Sequence, residues 1–288
     1  MKIGILGLGN MGSAIAEAAL QHGLEIVVWN RTAAKAERFA GRAAVGASIA
    51  DVVARTDVLV WVLSDYATTV SAMAMAGPTD MFAGKVFVQL CSGTPAEARE
   101  LGDKVATLGA HYLDGKIFTY PARVGQEMTR FAYSGNSETY DRVADILRAF
   151  GGRSGWLGPD PGFAAAADLA WLSYLYGSMV GLFQGLAFAR AEGLADDAVF
   201  QSVPSWLVEI EAEAEYSRAL IQRGDFRGNQ ANLDVHLAAM QHLLHTARAN
   251  RISTVFPSTI VELFGEAVAR GHGALEITGG LDVFVNPP

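Results

Sequence analysis

The sequence predicts an α/β protein whose first half is a parallel sheet with crossover helices and whose second half is all helix. Three observations carry that prediction. Strand and helix signals alternate from residue 2 to residue 150, the pattern of strands laid side by side and joined by helices. A Gly-x-Gly-x-x-Gly motif stands at the first strand-to-helix turn. After Gly158-Pro159-Asp160-Pro161-Gly162 the strand signals stop. The 288 residues amount to about two domains at roughly 150 residues each. The expected division is a sheet domain over 1–160, an interdomain helix over 161–192 and a helical domain over 193–288.

Expected strands at 2–6, 24–29, 58–63 and 86–90 are short runs rich in Val, Ile and Leu, as when both faces of a sheet are covered. Helices at 13–21 and 33–39 fall between the first of them. Thr94-Pro95-Ala96-Glu97 reads as a capping box with proline at the first helical position. Strands at 111–114 and 129–134 and a helix over 138–150, stopped by Gly151-Gly152, complete the first half. Asp160 is the expected N-cap, and Pro161 the first position, of a helix of about 30 residues ending near Glu192-Gly193. Further helices are expected over 196–203, 205–222, 233–249 and 258–270.

Composition excludes several classes. With 51% hydrophobic and 18% charged residues the chain is neither disordered nor collagen-like. Twenty-two Lys and Arg against 30 Asp and Glu give −8, with no basic run to trace a phosphate backbone, so nucleic acid is not an expected partner. Cys91 is the only cysteine, which leaves no internal disulfide and no cysteine zinc cluster. His242 and His245 share a helix face without a third ligand, so no metal site is expected. Met-Lys-Ile-Gly-Ile-Leu reads as a strand rather than a signal peptide, and the expected location is the cytoplasm. Residues 169–189 carry no formal charge over 21 positions, long enough at about 1.5 Å per residue to cross a bilayer of about 30 Å. Asp168 and Arg190 close that run and no basic cluster flanks it, so the expectation is no membrane span but a helix buried all round by protein. Gly177, Gly181 and Gly185 form a small-residue stripe along it. A single chain of this size seldom surrounds so long a helix, which points to an oligomer.

The glycine motif is Gly7-Leu8-Gly9-Asn10-Met11-Gly12, preceded by a strand and followed by a helix and a second strand ending at Trp29. In that setting it predicts a Rossmann domain that holds a dinucleotide. Gly7 permits the tight turn, Gly9 the approach of a pyrophosphate, and Gly12 close helix–strand packing. The second strand ends in Trp29-Asn30-Arg31-Thr32, with Lys35 a turn later, where NAD sites usually carry an acid. A carboxylate would repel a 2′-phosphate. Arg31 can pair with one, and Asn30, Thr32 and Lys35 can donate hydrogen bonds, so NADPH is the expected cofactor.

Taken together, Gly-Leu-Gly-Asn-Met-Gly at 7, Trp-Asn-Arg-Thr at 29, Cys-Ser-Gly-Thr-Pro at 91, Tyr-Ser-Gly at 133, Gly-Pro-Asp-Pro-Gly at 158, Ala-Glu-Gly at 191 and Gly-His-Gly at 271 give a chain that resembles the imine reductases and reductive aminases, relatives of the β-hydroxyacid dehydrogenases, over nearly its whole length. The resemblance implies an N-terminal Rossmann domain, a long interdomain helix, and a homodimer that exchanges its all-α C-terminal domains, so that one subunit's Rossmann domain and the other's bundle enclose each site. Asp168 stands out on the sequence alone, as the last charge before the uncharged stretch and two turns inside the helix. Partial burial should raise its pKa. Such a carboxyl could protonate an imine nitrogen or, when ionised, steady an iminium cation; a solvent-facing helix residue is the alternative.

By resemblance, Asp replaces at 168 the Lys of β-hydroxyacid dehydrogenases, and Tyr176 matches a tyrosine of the reductive aminases; a packed aromatic is its plainer reading. The resemblance also places Ser92, at a strand end, against the nicotinamide and amine, and Trp206 and His236 in the substrate pocket, where His236 departs from the polar amide often found. Leu63, Ser64 and Cys91 complete the expected cofactor-binding set. The expected function is NADPH-dependent reduction of imines, or of a ketone plus amine, to amines. The alternatives are a β-hydroxyacid dehydrogenase acting on a C–O bond, against which the absence of Lys at 168 weighs, and a cofactor-binding protein that has lost catalysis.

Overall fold

The computed structural model describes residues 1–287. They form two compact units, Met1–Ser173 and the remainder from Tyr174. The division falls inside the long helix, not at either of its ends.

The first unit is built on β1 (Ile3–Leu6), α1 (Asn10–Gln21), β2 (Ile26–Trp29), α2 (Ala33–Glu37), β3 (Ala44–Val45), α3 (Ile49–Arg55), β4 (Val58–Trp61) and α4 (Tyr66–Met75). It continues through β5 (Val86–Gln89), α5 (Pro95–Thr107), β6 (His111–Ile117), β7 (Phe131–Gly135), α6 (Ser137–Phe150) and β8 (Gly155–Trp156). The eight strands lie in the order β3-β2-β1-β4-β5-β6-β7-β8. All neighbours are parallel except β6 and β7, which pair antiparallel with Leu113 opposite Gly135 and Ile117 opposite Phe131. The sheet is thus parallel-rich as expected, and its one antiparallel pair is joined by residues 118–130 instead of by a crossover helix.

Strand alternation sends side chains to two cores. Ile3, Ile5, Val58, Val60, Val86 and Val88 pack with Ile15, Ala19, Leu147 and Phe150 from α1 and α6. Leu6, Val27, Leu59, Trp61 and Phe87 pack on the other face with Val52, Val53, Met73 and Leu101 from α3, α4 and α5. Each such apolar side chain contributes roughly 1.5–3 kcal/mol on burial, and both faces of the sheet are covered. The order reverses between β1 and β4, so their carboxyl ends open the crevice in which doubly wound sheets bind ligands.

The long helix α7 (Gly162–Ala191) starts one residue later than expected. Asp160 accepts from the Gly162 N–H at 2.8 Å and pairs with Arg99 at 2.9 Å, fixing the entry to the helix. In the second unit, α8 (Asp196–Arg223) runs unbroken through Pro204, where two helices were expected. Pro204 is exposed, so water can take the carbonyl that proline leaves without a partner. Then follow α9 (Leu233–Ala249), α10 (Val255–Ala267) and α11 (Leu281–Val285). The fourth expected helix is shifted: α10 begins at Val255, and a π-turn over Val268–His272 follows it.

The expectation that α7 is buried all round fails for a single chain. It meets the length and hydropathy of a membrane span, but only 11% of its most apolar window is buried. Leu169, Tyr174, Tyr176, Val180 and Phe183 are exposed.

Candidate active site

The glycine turn has the three demands that its spacing predicts. Gly7 has φ +103°, and a Cβ there would stand 2.3 Å from the Val62 carbonyl. A Cβ on Gly12 would stand 1.9 Å from the Gly7 carbonyl, so α1 can cross the turn this closely only without a side chain. Around Gly9 nothing lies within 4 Å of a built Cβ. Gly9 is also the N-cap of α1 and offers no side chain to the first amides, which stay available to an anion.

Two cavities adjoin at this turn and share Gly9, Val62, Leu63 and Ser64. The one of about 440 Å³ extends over Trp29, Asn30, Arg31, Thr32 and Lys35 to α4. No carboxylate is among its lining residues, whereas Arg31 and Lys35 are exposed there. Asn30 also holds the turn in place. Its Oδ1 accepts from the Leu8 N–H at 2.9 Å and its Nδ2 donates to the Thr32 carbonyl at 3.1 Å, tying the second strand's end to the glycine turn. One Nδ2 hydrogen remains free, and Asn30 lines this cavity.

The other cavity, of about 420 Å³, is lined by Gly9, Asn10, Met11 and Gly12, by the carboxyl ends of β4 and β5 with Leu63, Ser64, Cys91 and Ser92, by Gly115, Lys116 and Ile117 of β6, and by Asp168. Asp168 is only 6% exposed. Burial pushes its carboxyl above the usual range; Lys116 opposes the rise and Asp114 adds to it. Cys91 is inert in this setting, because burial pushes its thiol up to about 11. Thr94 is a structural residue as expected: its hydroxyl accepts from the Glu97 N–H while the Glu97 carboxylate accepts from the Thr94 N–H.

Tyr176, Trp206 and His236 belong to the second unit. Tyr176 is 63% exposed and Trp206 46%, while His236 is half-buried, its ring 6.4 Å from that of Phe264. Among the described residues no cluster of His, Cys, Asp and Glu could hold a metal ion.

Lys116 was missed by the sequence reading. It is 2% exposed, donates to Asp114 Oδ1 at 2.6 Å and to the Tyr66 hydroxyl at 2.8 Å, and sits 5.1 Å from the Tyr66 ring centre. Asp114 also accepts from the hydroxyls of Tyr66 and Tyr112 at 2.7 and 2.8 Å. The expected strand ended at residue 114. The only local trace of Lys116 was two opposite charges two residues apart, and therefore on one face of the strand, which does not by itself tell a buried pair from an exposed one.

Sheet order, glycine turn and adjoining clefts define a dinucleotide-binding Rossmann protein. Residues 2–158 match the NAD binding domain of 6-phosphogluconate dehydrogenase, and residues 160–285 match the NADPH-dependent reductive aminase-like C-terminal domain. An NADPH-dependent reductive aminase of Aspergillus oryzae is 31% identical over 98% of this chain and 96% of its own. An imine reductase from Myxococcus stipitatus, solved in complex with NADP+, superposes with a TM-score of 0.92 at 31% identity, covering 99% of this chain and 100% of the other. A reductive aminase from Aspergillus terreus, in complex with NADPH and ethyl levulinate, does so with 0.91 at 33% identity, over 98% and 99%. The chain belongs to the family of NADPH-dependent reductive aminases and imine reductases.

Proposed function

We propose that this chain is an NADPH-dependent reductase that delivers hydride to the carbon of a C=N bond and leaves an amine, taking an imine or a ketone plus amine as substrate. The observation that carries the proposal is Asp168, a nearly buried carboxyl lining the cavity that also holds the glycine turn and the carboxyl ends of β4, β5 and β6. Its side chain has no hydrogen-bond partner among the described residues, so it is free for a substrate nitrogen.

The amides at the start of α1 and the open space at Gly9 suit a pyrophosphate. Arg31, with Thr32 and Lys35, suits a ribose 2′-phosphate, which the NAD-type acid would repel. Leu63, Ser64, Cys91 and Ser92 line the same cavity as Asp168. The bound nicotinamide supplies the hydride. Asp168 is suited to an imine: it can give a proton to the nitrogen or, when ionised, set a negative charge beside an iminium, which a developing alkoxide would not tolerate. Tyr176 is proposed as its catalytic companion, and Trp206 and His236 as pocket residues, on family likeness.

The functional form is proposed to be a cytoplasmic homodimer with exchanged helical domains. Support comes from α7, whose apolar side chains are exposed in the single chain and whose Gly177 and Gly185 have open space beside them. The experiment is NADPH consumption with 1-pyrroline-type imines beside ketones and hydroxyacids. Oxidation with the imine is expected; turnover of only C–O substrates would overturn the reading.

A further inference from the structure

We propose that Lys116 is a positioning residue of this reaction: its buried ammonium, clamped by Asp114 and Tyr66, is the fixed positive charge against which Asp168 works. The inference rests on the reading of Asp168 given above. Lys116 and Asp168 line one cavity from two elements, β6 and α7. The lysine cannot wander, because a carboxylate and a phenol hold two of its three donors and the Tyr66 ring packs beside it.

Its anchor is itself fixed. Asp114 is fully buried and accepts from Lys116, Tyr66 and Tyr112 at once, so the pair behaves as one rigid dipole inside the sheet. The charged and titratable groups that feel Lys116 are Asp114, Asp168, Cys91 and Glu97; those acting on Asp168 are Lys116 and Asp114, of opposite effect, with Lys116 the stronger. The pair therefore leaves a net positive field at Asp168 and restrains the rise that burial imposes on its carboxyl.

This arrangement differs from a lysine placed to meet substrate oxygen. The Lys116 charge is committed to Asp114 and Tyr66, and it acts on chemistry through the acid. Its effect is to keep Asp168 ionised over a wider pH range, so that the carboxylate is present to attract a cationic amine or iminium and is reprotonated only as pH falls.

The test is the titration of Asp168 in the full-length chain, followed by the infrared band of its protonated carboxyl and assigned by its loss in Asp168→Asn. The pH dependence of kcat with a 1-pyrroline-type imine is measured beside it. In Lys116→Met the midpoint should move up by about one pH unit, the scale of losing a nearby opposite charge. Lys116→Arg, which keeps the cation, should restore the parent midpoint. Should Lys116→Met strand Asp114 in the interior and fail to fold, the double variant Asp114→Asn/Lys116→Met removes the pair together. Its midpoint should still rise, by less, because Lys116 lines the cavity with Asp168 and Asp114 stands behind it, outside the lining. A midpoint at or below the parent value in the folded variant overturns the proposal. Full turnover in Asp168→Asn would instead remove the role of Asp168, while the infrared titration still decides whether Lys116 governs its charge.

Discussion

Gly9 and Gly12 sit three residues apart in one motif, yet the structure assigns them opposite sensitivities to a single methyl group. Gly12→Ala drives a Cβ to 1.9 Å from the Gly7 carbonyl, a backbone atom that cannot swing aside. Overpacking of this kind costs about 1–3 kcal/mol. At roughly 2–4 °C per kcal/mol for a unit of this size, Tm should fall by about 2–12 °C. Gly9→Ala meets nothing within 4 Å, and φ −67° with ψ −172° is extended backbone open to any residue. Losing a glycine N-cap costs about 0.5 kcal/mol, and stiffening the unfolded chain returns about 0.4–1 kcal/mol, so Tm should stay within about 2 °C of the parent. Cofactor binding should reverse the order. The methyl group of Gly9→Ala occupies the space beside the first amides of α1, and loss of one charge-assisted hydrogen bond, about 1.5–3 kcal/mol, weakens NADPH binding by roughly 10- to 150-fold. Thermal unfolding without cofactor and fluorescence titration with NADPH measure the two effects separately. Parent-like NADPH affinity in Gly9→Ala, or parent-like stability in Gly12→Ala, would refute this account of the turn.

Arg31→Ala should weaken NADPH binding by about tenfold or more and leave NADH binding nearly unchanged, since the loss is one charge-assisted phosphate contact; equal losses for both cofactors in parallel titrations would contradict the 2′-phosphate assignment. The exposed apolar face of α7 should be covered by a second copy, so sedimentation should find a dimer that separates only on unfolding; a folded monomer persisting on dilution would rule that out. Thr94→Ala should cost about 1 kcal/mol by opening the capping box of α5 without changing NADPH affinity, and a matching loss of affinity would show that Thr94 reaches the cofactor.

Much of the first unit was legible because its signals are local. The Val and Ile runs of β1, β2, β4 and β5 are continuous because both faces of the sheet are covered, and Gly7 and Gly12 meet steric requirements that no side chain satisfies. What was missed depends on long-range partners. Helix α4 reads Tyr-Ala-Thr-Thr-Val-Ser-Ala-Met-Ala-Met, with little amphipathic pattern; only the cap, Asp65 accepting from the Thr68 N–H at 2.6 Å, marked its start. The antiparallel turn of β7 follows from pairing with β6, which no local pattern states. Pro204 suggested a break, but an exposed helix tolerates it. At the site, Asp168 was legible as a charge beside an uncharged run. Lys116 was not, because its meaning depends on Tyr66, 50 residues away, and on Asp114 sharing its face of the strand.

Asp168 is the residue on which the proposed chemistry turns, and the direct measurement is steady-state turnover of Asp168→Ala on two substrates, a weakly basic imine and a permanently charged iminium, with NADPH affinity titrated alongside. NADPH binding should be nearly unchanged, since the residues proposed to hold the dinucleotide lie around the glycine turn and Arg31. Turnover of the weakly basic imine should fall by about 10²–10⁴-fold, the usual worth of a positioned acid or base. A smaller loss on the permanent iminium identifies Asp168 as proton donor, and an equal loss identifies it as counter-charge. Full activity of Asp168→Ala on both substrates would contradict the account.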